Sequence, residues 1–490
     1  MSLTVIGFLV LYYVVVLGIG LWAMRRGASR DLEGYLLGGR EVGPLVTALT
    51  LQSTSMSGFM FLGAGALGYT EGYWALWYAA GDVGGGVINL STIGRRMRKF
   101  SQISKSLTPI EYLEKRYPSP AIRLFAGAIT VFLLGSYVLA QFIAGGKGLA
   151  LVTGLPYAMA LLLAVGIIIV YTYLGGYLAV AYTDFFQSLV MVIGVVWILV
   201  AALVELGGWS AANLQLAQLD PTLLSVWGRG LGHQGEWGIV LGAVLVFSVG
   251  YMGWPHVVTR HMAMRRPTTA RLASAYCTGW NLLFVSSPYV LGILAILILP
   301  ELSDPEMAIF EVARRLLPAA VTGIVMAAIM AAIMSTADSL LLQTGSIAAR
   351  DLYQRFVNPR ASQRQMVWVA RLMVLVIGGF GYLVALIEPP TVFSIVLFVT
   401  SVLGSAFLPA YVCAVWWKRA NAPGALASMV TGATVTFVWQ LAALDGPTGL
   451  HPMLAGLILS STAMILVSLA TGRSHPLPAR VLEMMSEASR

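Results

Sequence analysis

From end to end the chain is cut into apolar runs long enough to cross a bilayer, and no other feature restricts its fold as much. A spanning helix needs roughly 20 mainly apolar residues. Runs between charged or Pro/Gly breaks predict thirteen helices, over 3–24, 43–69, 73–94, 123–151, 156–174, 181–205, 236–263, 271–299, 307–349, 367–388, 392–418, 423–443 and 451–471. They are numbered I to XIII in that order. Span IX is too long for one straight crossing, which points to a surface helix around Pro305 to Leu317 at its start. Composition agrees: 58% of residues are hydrophobic and 10% charged, with a mean hydropathy of +0.81. Ordinary soluble domains carry about 25% charged residues. A soluble enzyme, a disordered chain and a secreted disulfide scaffold are excluded. Cys277 and Cys413 lie in apolar runs and read as small buried hydrophobes. The class is an all-α polytopic membrane protein, a single membrane domain over 1–490 in contact with the lipid bilayer.

Charge sets the expected orientation. Arg25 and Arg26 directly follow the first run and no basic residue precedes it, the reverse of a signal peptide. With the N-terminus outside, alternate loops and their margins (25–42, 95–123, 260–271, 350–371, 418–422 and 472–490) hold 26 of the 30 Lys and Arg residues. The positive-inside rule makes these loops and the C-terminus cytoplasmic, in a plasma (inner) membrane. Basic residues spread over short loops form no nucleic-acid-binding face. The other loops are neutral or acidic, with Glu301, Asp304, Glu306, Glu388 and Asp445. No loop exceeds about thirty residues, so none holds a nucleotide-binding domain of ordinary size. No phosphate-binding loop motif is present, so if the protein is a pump its energy source is a gradient.

Ionisable side chains at membrane depth cost roughly 2.5–3.5 kcal/mol on insertion scales and invite a functional reading. Asp82, Asp184 and Asp338 qualify. Ser335, Asp338 and Ser339 are spaced i, i+3, i+4 on one helix face, flanked by Thr336. These oxygens suit a hard cation, or the hydroxyls are hydrogen-bonding glue between helices. Asp184 is a site residue or complements a helix dipole. Asp82, among Gly81, Gly84, Gly85 and Gly86, faces a ligand or pairs with Lys147 or another base. Two spans look breakable. Span II contains Gln52-Ser-Thr-Ser-Met-Ser-Gly58. Span VII contains Gly250, Gly253 and Pro255, and proline cannot donate a backbone hydrogen bond. Unwound backbone is tolerated at membrane depth where it lines a cavity. Breaks five spans apart predict an inverted-repeat secondary transporter. The repeats would cover 43–205 and 236–418, with 3–24 and 423–471 peripheral. Five histidines, with His256 and His261 the mid-chain pair, form no evident catalytic constellation, and His256 reads as a helix-end hydrogen bonder. The chain is not expected to be an enzyme.

Five stretches resemble the sodium:solute symporter family, closest to its sodium/proline symporter branch: Tyr35-Leu-Leu-Gly-Gly-Arg40; Ser55-Met-Ser-Gly58; Gly175-Gly-Tyr-Leu-Ala-Val-Ala-Tyr-Thr-Asp184 with Gln187; Trp254-Pro-His-Val-Val-Thr-Arg260 with Met262 and Ala263; and Ala331 to Leu341 with Arg350-Asp-Leu-Tyr353. The resemblance implies a LeuT-type five-plus-five fold with about thirteen helices, and sodium-coupled import of a small organic solute by alternating access. Proline or a related amino acid is favoured; pantothenate and monocarboxylate carriers share much of the motif set. A transporter-like sensor is a further reading. Na+ is the implied coupling ion, with no organic cofactor and no obligate protein partner. The implied first sodium site comprises the carbonyls of Ser53, Met56 and Ala332 and the hydroxyls of Ser335 and Thr336. A second cation site, present in some members, would fall on Asp184, Ser335, Asp338 and Ser339. Substrate positions would be Tyr137, Phe247, Tyr251 and Pro255, with Asp82 added from its own context. The chain departs from the proline branch at Ser55, where the branch has aspartate, at Asp338, where it has serine, and at Phe247, where it has tryptophan.

Overall fold

The computed structural model describes residues 3–25, 31–387 and 392–489. Arg26, Arg30, Glu388 and Arg490, used above as topological markers, lie outside the described residues. Among the described residues the regular structure is helical, and the strand-like features are two isolated bridges, Val42 with Met264 and Gly238 with Leu450. Nine helices there are long and apolar enough to cross a membrane, or ten if a bent pair is counted as one span.

The helices used below are α1 (Leu3–Arg25), α2 (Pro44–Ser55), α3 (Gly65–Glu71), α4 (Leu76–Asn89), α5 (Arg95–Ile103), α6 (Pro109–Arg116), α7 (Pro120–Thr153) and α8 (Tyr157–Glu205). They continue with α9 (Trp209–Leu219), α10 (Trp237–Val246), α11 (Pro255–Ala263), α12 (Thr269–Phe284), α13 (Ser286–Ile298), α14 (Ala308–Leu316) and α15 (Ala319–Ile347). The last five are α16 (Gln363–Ala385), α17 (Val392–Trp416), α18 (Ala422–Leu441), α19 (Pro452–Ala470) and α20 (Ala479–Ser489).

Spans I, IV, X, XI, XII and XIII each coincide with one helix, and the differences elsewhere have local causes. Spans V and VI are the two arms of α8, separate helices divided as expected by the non-helical backbone of Gly176, whose φ of 59° and ψ of −160° suit a residue without a Cβ. A Cβ there would also meet the Tyr35 ring at 2.7 Å. The long ninth segment divides as expected into α14, α15 and a π-helical extension, Ala348–Val357. The tail after Thr471 folds into α20, which the sequence pattern did not announce.

At the centre lies α15. Every side chain from Val325 to Ile347 is buried, and the helix packs against α8, α7, α1 and α16. The flanking helices are apolar on the outside instead: α1 exposes Val10, Leu11 and Val14, and α16 exposes Trp368, Leu372, Val376 and Phe380. An apolar outer surface around a core containing polar side chains is what a hydrocarbon solvent selects.

Several arginines read as loop anchors are structural as well. Arg116 donates to the carbonyls of Ala414, Trp417 and Ala420 at 3.0, 2.9 and 3.1 Å, closing the end of α17. Arg40 donates to Ser101 and to the carbonyls of Met262 and Ser106. Arg260, counted above in the margin of a loop, is buried in the interior, 2% exposed.

Candidate functional site

Both expected helix breaks occur. The first helix stops at Ser55; Met56 has φ −89° and ψ 74°, and the chain restarts at a 58° bend. Gly58 lies in the bend because a Cβ there would strike Ile333 of α15 at 2.8 Å and the Gln141 side chain at 3.0 Å. Its N–H donates to Gln141 Oε1 at 2.9 Å, so a side chain of α7 satisfies backbone that the helix no longer serves. The second break lies between α10 and α11. Phe247 and Ser248 leave the helical region, a short 3₁₀ turn covers Val249–Gly253, and α11 restarts with Pro255 at its first turn.

Helix α15 meets the first break with hydroxyls. Ser335 Oγ donates to the carbonyl of Ser53 at 2.9 Å and approaches that of Ala332 at 3.2 Å. Thr336 Oγ1 donates to Thr54 O at 3.0 Å and lies 3.4 Å from Ser53 O. All four residues predicted from Ser53 to Thr336, other than Met56, thus converge in one cluster of hard oxygens. Met56 lies at the break itself, and its sulfur lies 4.0 Å from the Tyr251 hydroxyl. The donor set fits an alkali cation, which takes carbonyl and hydroxyl oxygens.

One turn along α15 is the acidic cluster. Asp184 Oδ2 accepts from Thr50 at 2.5 Å and from Thr54 at 3.2 Å, and Thr54 lies 3.0 Å from Ser339. Asp338 Oδ2 accepts from Tyr171 at 2.7 Å. The structure adds Arg260, which the sequence reading did not place here. Its Nη2 lies 2.5 Å from Ser339 Oγ, 2.7 Å from Thr54 Oγ1 and 3.5 Å from Asp184 Oδ2. A hydrogen bond from Nη1 to the carbonyl of His256, one turn back, holds the guanidinium inward. Asp184 and Asp338 are both fully buried, and Oδ1 of each has no hydrogen-bond partner. Asp184 is well inside α8, eight residues beyond the Gly176 bend, so an end-of-helix dipole role does not apply.

The predicted substrate residues gather around both breaks and are all buried. Tyr137 donates to Ser57 Oγ at 3.1 Å. The Phe247 ring lies 5.1 Å from Phe59, 5.9 Å from Tyr78 and 6.0 Å from Trp254, and Tyr251 lies 4.2 Å from Trp254. Above this wall a cavity of about 220 Å³ reaches Tyr78 and Phe393 from the face carrying Asp445. Tyr251 donates to Asp82 Oδ1 at 2.6 Å and Tyr289 to Oδ2 at 3.1 Å. Two side-chain readings need correction. Lys147 pairs with Glu306 at 3.1 Å, not with Asp82. His256 makes no hydrogen bond through either ring nitrogen; its ring lies parallel to Trp254 and edge-on to Tyr137, because burial left it among aromatic rings. Gln52, from the polar run at the first break, is hydrogen-bonded to Asn281 of α12, which no motif announced.

Two interrupted helices, an oxygen cluster at one break and an aromatic wall across both, define a membrane carrier of the broken-helix class. The sodium:solute symporter family model matches residues 35–432, and the chain belongs to this family. It is 30% identical over 494 residues to the osmoregulated proline transporter OpuE of Bacillus subtilis (strain 168), covering 99% of each chain. It is 31% identical over 477 residues to the sodium/proline symporter of Staphylococcus aureus (strain NCTC 8325 / PS 47), covering 94% of this chain and 91% of the other. A Na+-coupled sialic acid symporter solved in a substrate-bound outward-open state superposes with a TM-score of 0.79 at 19% identity, covering 96% of this chain and 98% of that one. The fold is therefore shared with that symporter.

Proposed function

We propose that the protein is a sodium-coupled symporter that imports a small organic solute, an amino acid such as proline, by alternating access. The observation that carries this reading is the meeting of the Ser335 and Thr336 hydroxyls with the carbonyls of Ser53, Thr54 and Ala332 across the first break. A sodium ion held there ties α2 to α15 and completes the wall of the solute site. When those helices part, the ion and the solute lose their ligands together. The two proline-transporting relatives support an amino acid over pantothenate or a monocarboxylate.

The same reading includes thirteen crossings in a five-plus-five arrangement, with repeats over 43–205 and 236–418. It places the face carrying Arg350 and Arg480 in the cytoplasm and the N-terminus outside, in the plasma membrane. It also includes a second cation between Asp184 and Asp338. Support comes from charge: two buried carboxylates face one guanidinium, and one further monovalent cation balances them. The unpartnered Oδ1 atoms of both acids are the ligands left for it.

Purified protein in liposomes tests the function. Radiolabelled L-proline should accumulate under an inward sodium gradient and only equilibrate when sodium is equal on both sides. Accumulation driven equally well with sodium absent would overturn sodium coupling. Sodium-driven uptake of pantothenate or pyruvate with no uptake of proline would replace the solute. Sodium and solute binding without uptake would favour a sensor.

A further inference from the structure

Asp82 is the one intramembrane acid that the ion sites leave unused. It lies in the middle of α4, 1% exposed. Both carboxylate oxygens accept hydroxyl hydrogen bonds, from Tyr251 and Tyr289. Among the described residues no Lys, Arg or His lies within ion-pair distance of it: Lys147 is held by Glu306 and Asp304, and Arg260 by the Asp184 cluster. Hydroxyl donors do not cancel a charge, and a carboxylate away from water is costly without a cationic partner.

The surroundings place this charge against both breaks. Gly81 and Gly85 of α4 allow the backbone of 244–247 and the Tyr251 ring to come so close that a Cβ at either position would collide. Gly86 does the same for Gln52 of α2. Asn281 of α12, which bonds Gln52, also donates to the carbonyl of Val83 at 2.8 Å. Asp82 is thus pressed against the segment holding Phe247, Tyr251 and Trp254. Aromatic faces there attract a cation that has lost its water.

We infer that Asp82 is the anchor for a positively charged nitrogen on the transported solute, so that the protein selects solutes with a primary or secondary ammonium centre and rejects solutes that are only anionic. This deepens the function proposed above and rests on it for the location of the solute. The solute supplies the counter-charge that the protein withholds. Tyr251 and Tyr289 fix the carboxylate, each through one oxygen, which leaves lone pairs on both oxygens for a solute N–H. The freed backbone of the breaks is left for the solute's other end.

The test compares wild type, Asp82→Asn and Tyr289→Phe by sodium-dependent thermal shift and by uptake in liposomes. The probes are L-proline, its ring-oxygen analogue tetrahydrofuran-2-carboxylate, pyruvate and pantothenate. Asparagine keeps the size of aspartate and can bond both tyrosines, so the fold is retained; stabilisation of each variant by sodium alone checks this. Proline, but not the oxygen analogue or the two anions, should stabilise the wild type. Asp82→Asn should weaken proline by about tenfold or more, the factor one charge-assisted hydrogen bond is worth. Tyr289→Phe, which removes one orienting donor, should weaken it less and in the same direction. Equal affinity for proline in Asp82→Asn, wild-type binding of the oxygen analogue or an anion as tight as that of proline, or no stabilisation by proline at all would each overturn the inference. Proline binding that depends on Asp82 but drives no sodium-coupled accumulation would sink the symporter reading and leave this one standing.

Discussion

Ser335 and Thr336 are small, fully buried and bonded to carbonyls on both sides of a gap between helices. Replacing both with Ala removes two oxygens and almost no packing volume. Ser335→Ala/Thr336→Ala should therefore fold with a Tm near that of wild type and lose sodium-driven uptake at ordinary sodium. A sodium titration of uptake checks it, and an unchanged sodium dependence would remove these residues from the site. Asp338 makes a second case. Its Oδ2 is taken by Tyr171, and its Oδ1 has no hydrogen-bond partner among the described residues. Asp338→Ala should lower the Hill coefficient for sodium toward one and reduce the charge moved per solute, read from uptake and current on the same liposomes. Wild-type values of both in the variant would eliminate the second cation. Ser55, an aspartate in the proline branch, donates to Leu51 O at 2.7 Å within its own helix. It contributes no charge to the break, and the carboxylates stand on α8 and α15 instead.

At the scale of elements, the two breaks are joined by aromatic contact rather than by backbone. Phe247, where α10 ends, touches Phe59 just beyond the first break and Tyr78 of α4. Removing this ring should loosen the fit between halves that must close on the solute. Phe247→Ala is expected to raise the apparent solute constant by about tenfold or more, in the range a lost buried ring can supply, with the sodium constant nearly unchanged. A fall in Tm with normal solute affinity in the folded fraction would make Phe247 a packing residue only. Much of this level was legible in the sequence. Polar residues in Gln52 to Gly58 and the Gly253 to Pro255 stretch announced both breaks, because each weakens helical hydrogen bonding locally. Other parts were not. Arg260 reads as a loop charge because only the turn of α11, with the His256 carbonyl four residues back, aims it inward. The sharp turn between the two arms of α8 hinges on the backbone of Gly176 alone, which no periodicity records. The bond between Gln52 and Asn281 links residues far apart in sequence and depends on which helices become neighbours.

At the scale of the molecule, the face read as cytoplasmic carries ion pairs that tie α6 and α7 to the turn at 348–357. Arg123 of α7 reaches Asp351 at 2.9 Å and Glu114 of α6 at 2.6 Å, Arg355 also reaches Glu114, and Arg350 reaches Glu111 at 2.8 Å. These groups line a cavity of about 810 Å³ that Arg480, Val481 and Met484 of α20 border. Burial is the largest influence and opposes ionisation of Glu111, but Arg350, Arg123 and the Leu107 N–H together more than reverse it, so the carboxyl ionises below its ordinary range. A carboxyl lowered by folding lends its stability above its unfolded pKa and loses it only as pH falls through the folded value. The Glu111 pair should therefore hold through neutral and mildly acidic pH. Glu114→Gln breaks contacts to two arginines at once and should speed hydrogen exchange in 109–123 and 348–357, measured by mass spectrometry. Unchanged exchange there would show that these pairs do not hold those elements together. The cluster of Asp184, Asp338 and Arg260 has an electrical side too. Emptied of the proposed second cation and with both acids ionised, it would hold two carboxylates against one guanidinium, one excess negative charge. Across a bilayer such a charge feels about 2.3 kcal/mol per 100 mV. On the proposed orientation and second cation site, a membrane negative inside would push such a charge outward and so favour return of the unloaded carrier to the outer face, where an arriving cation would cancel it.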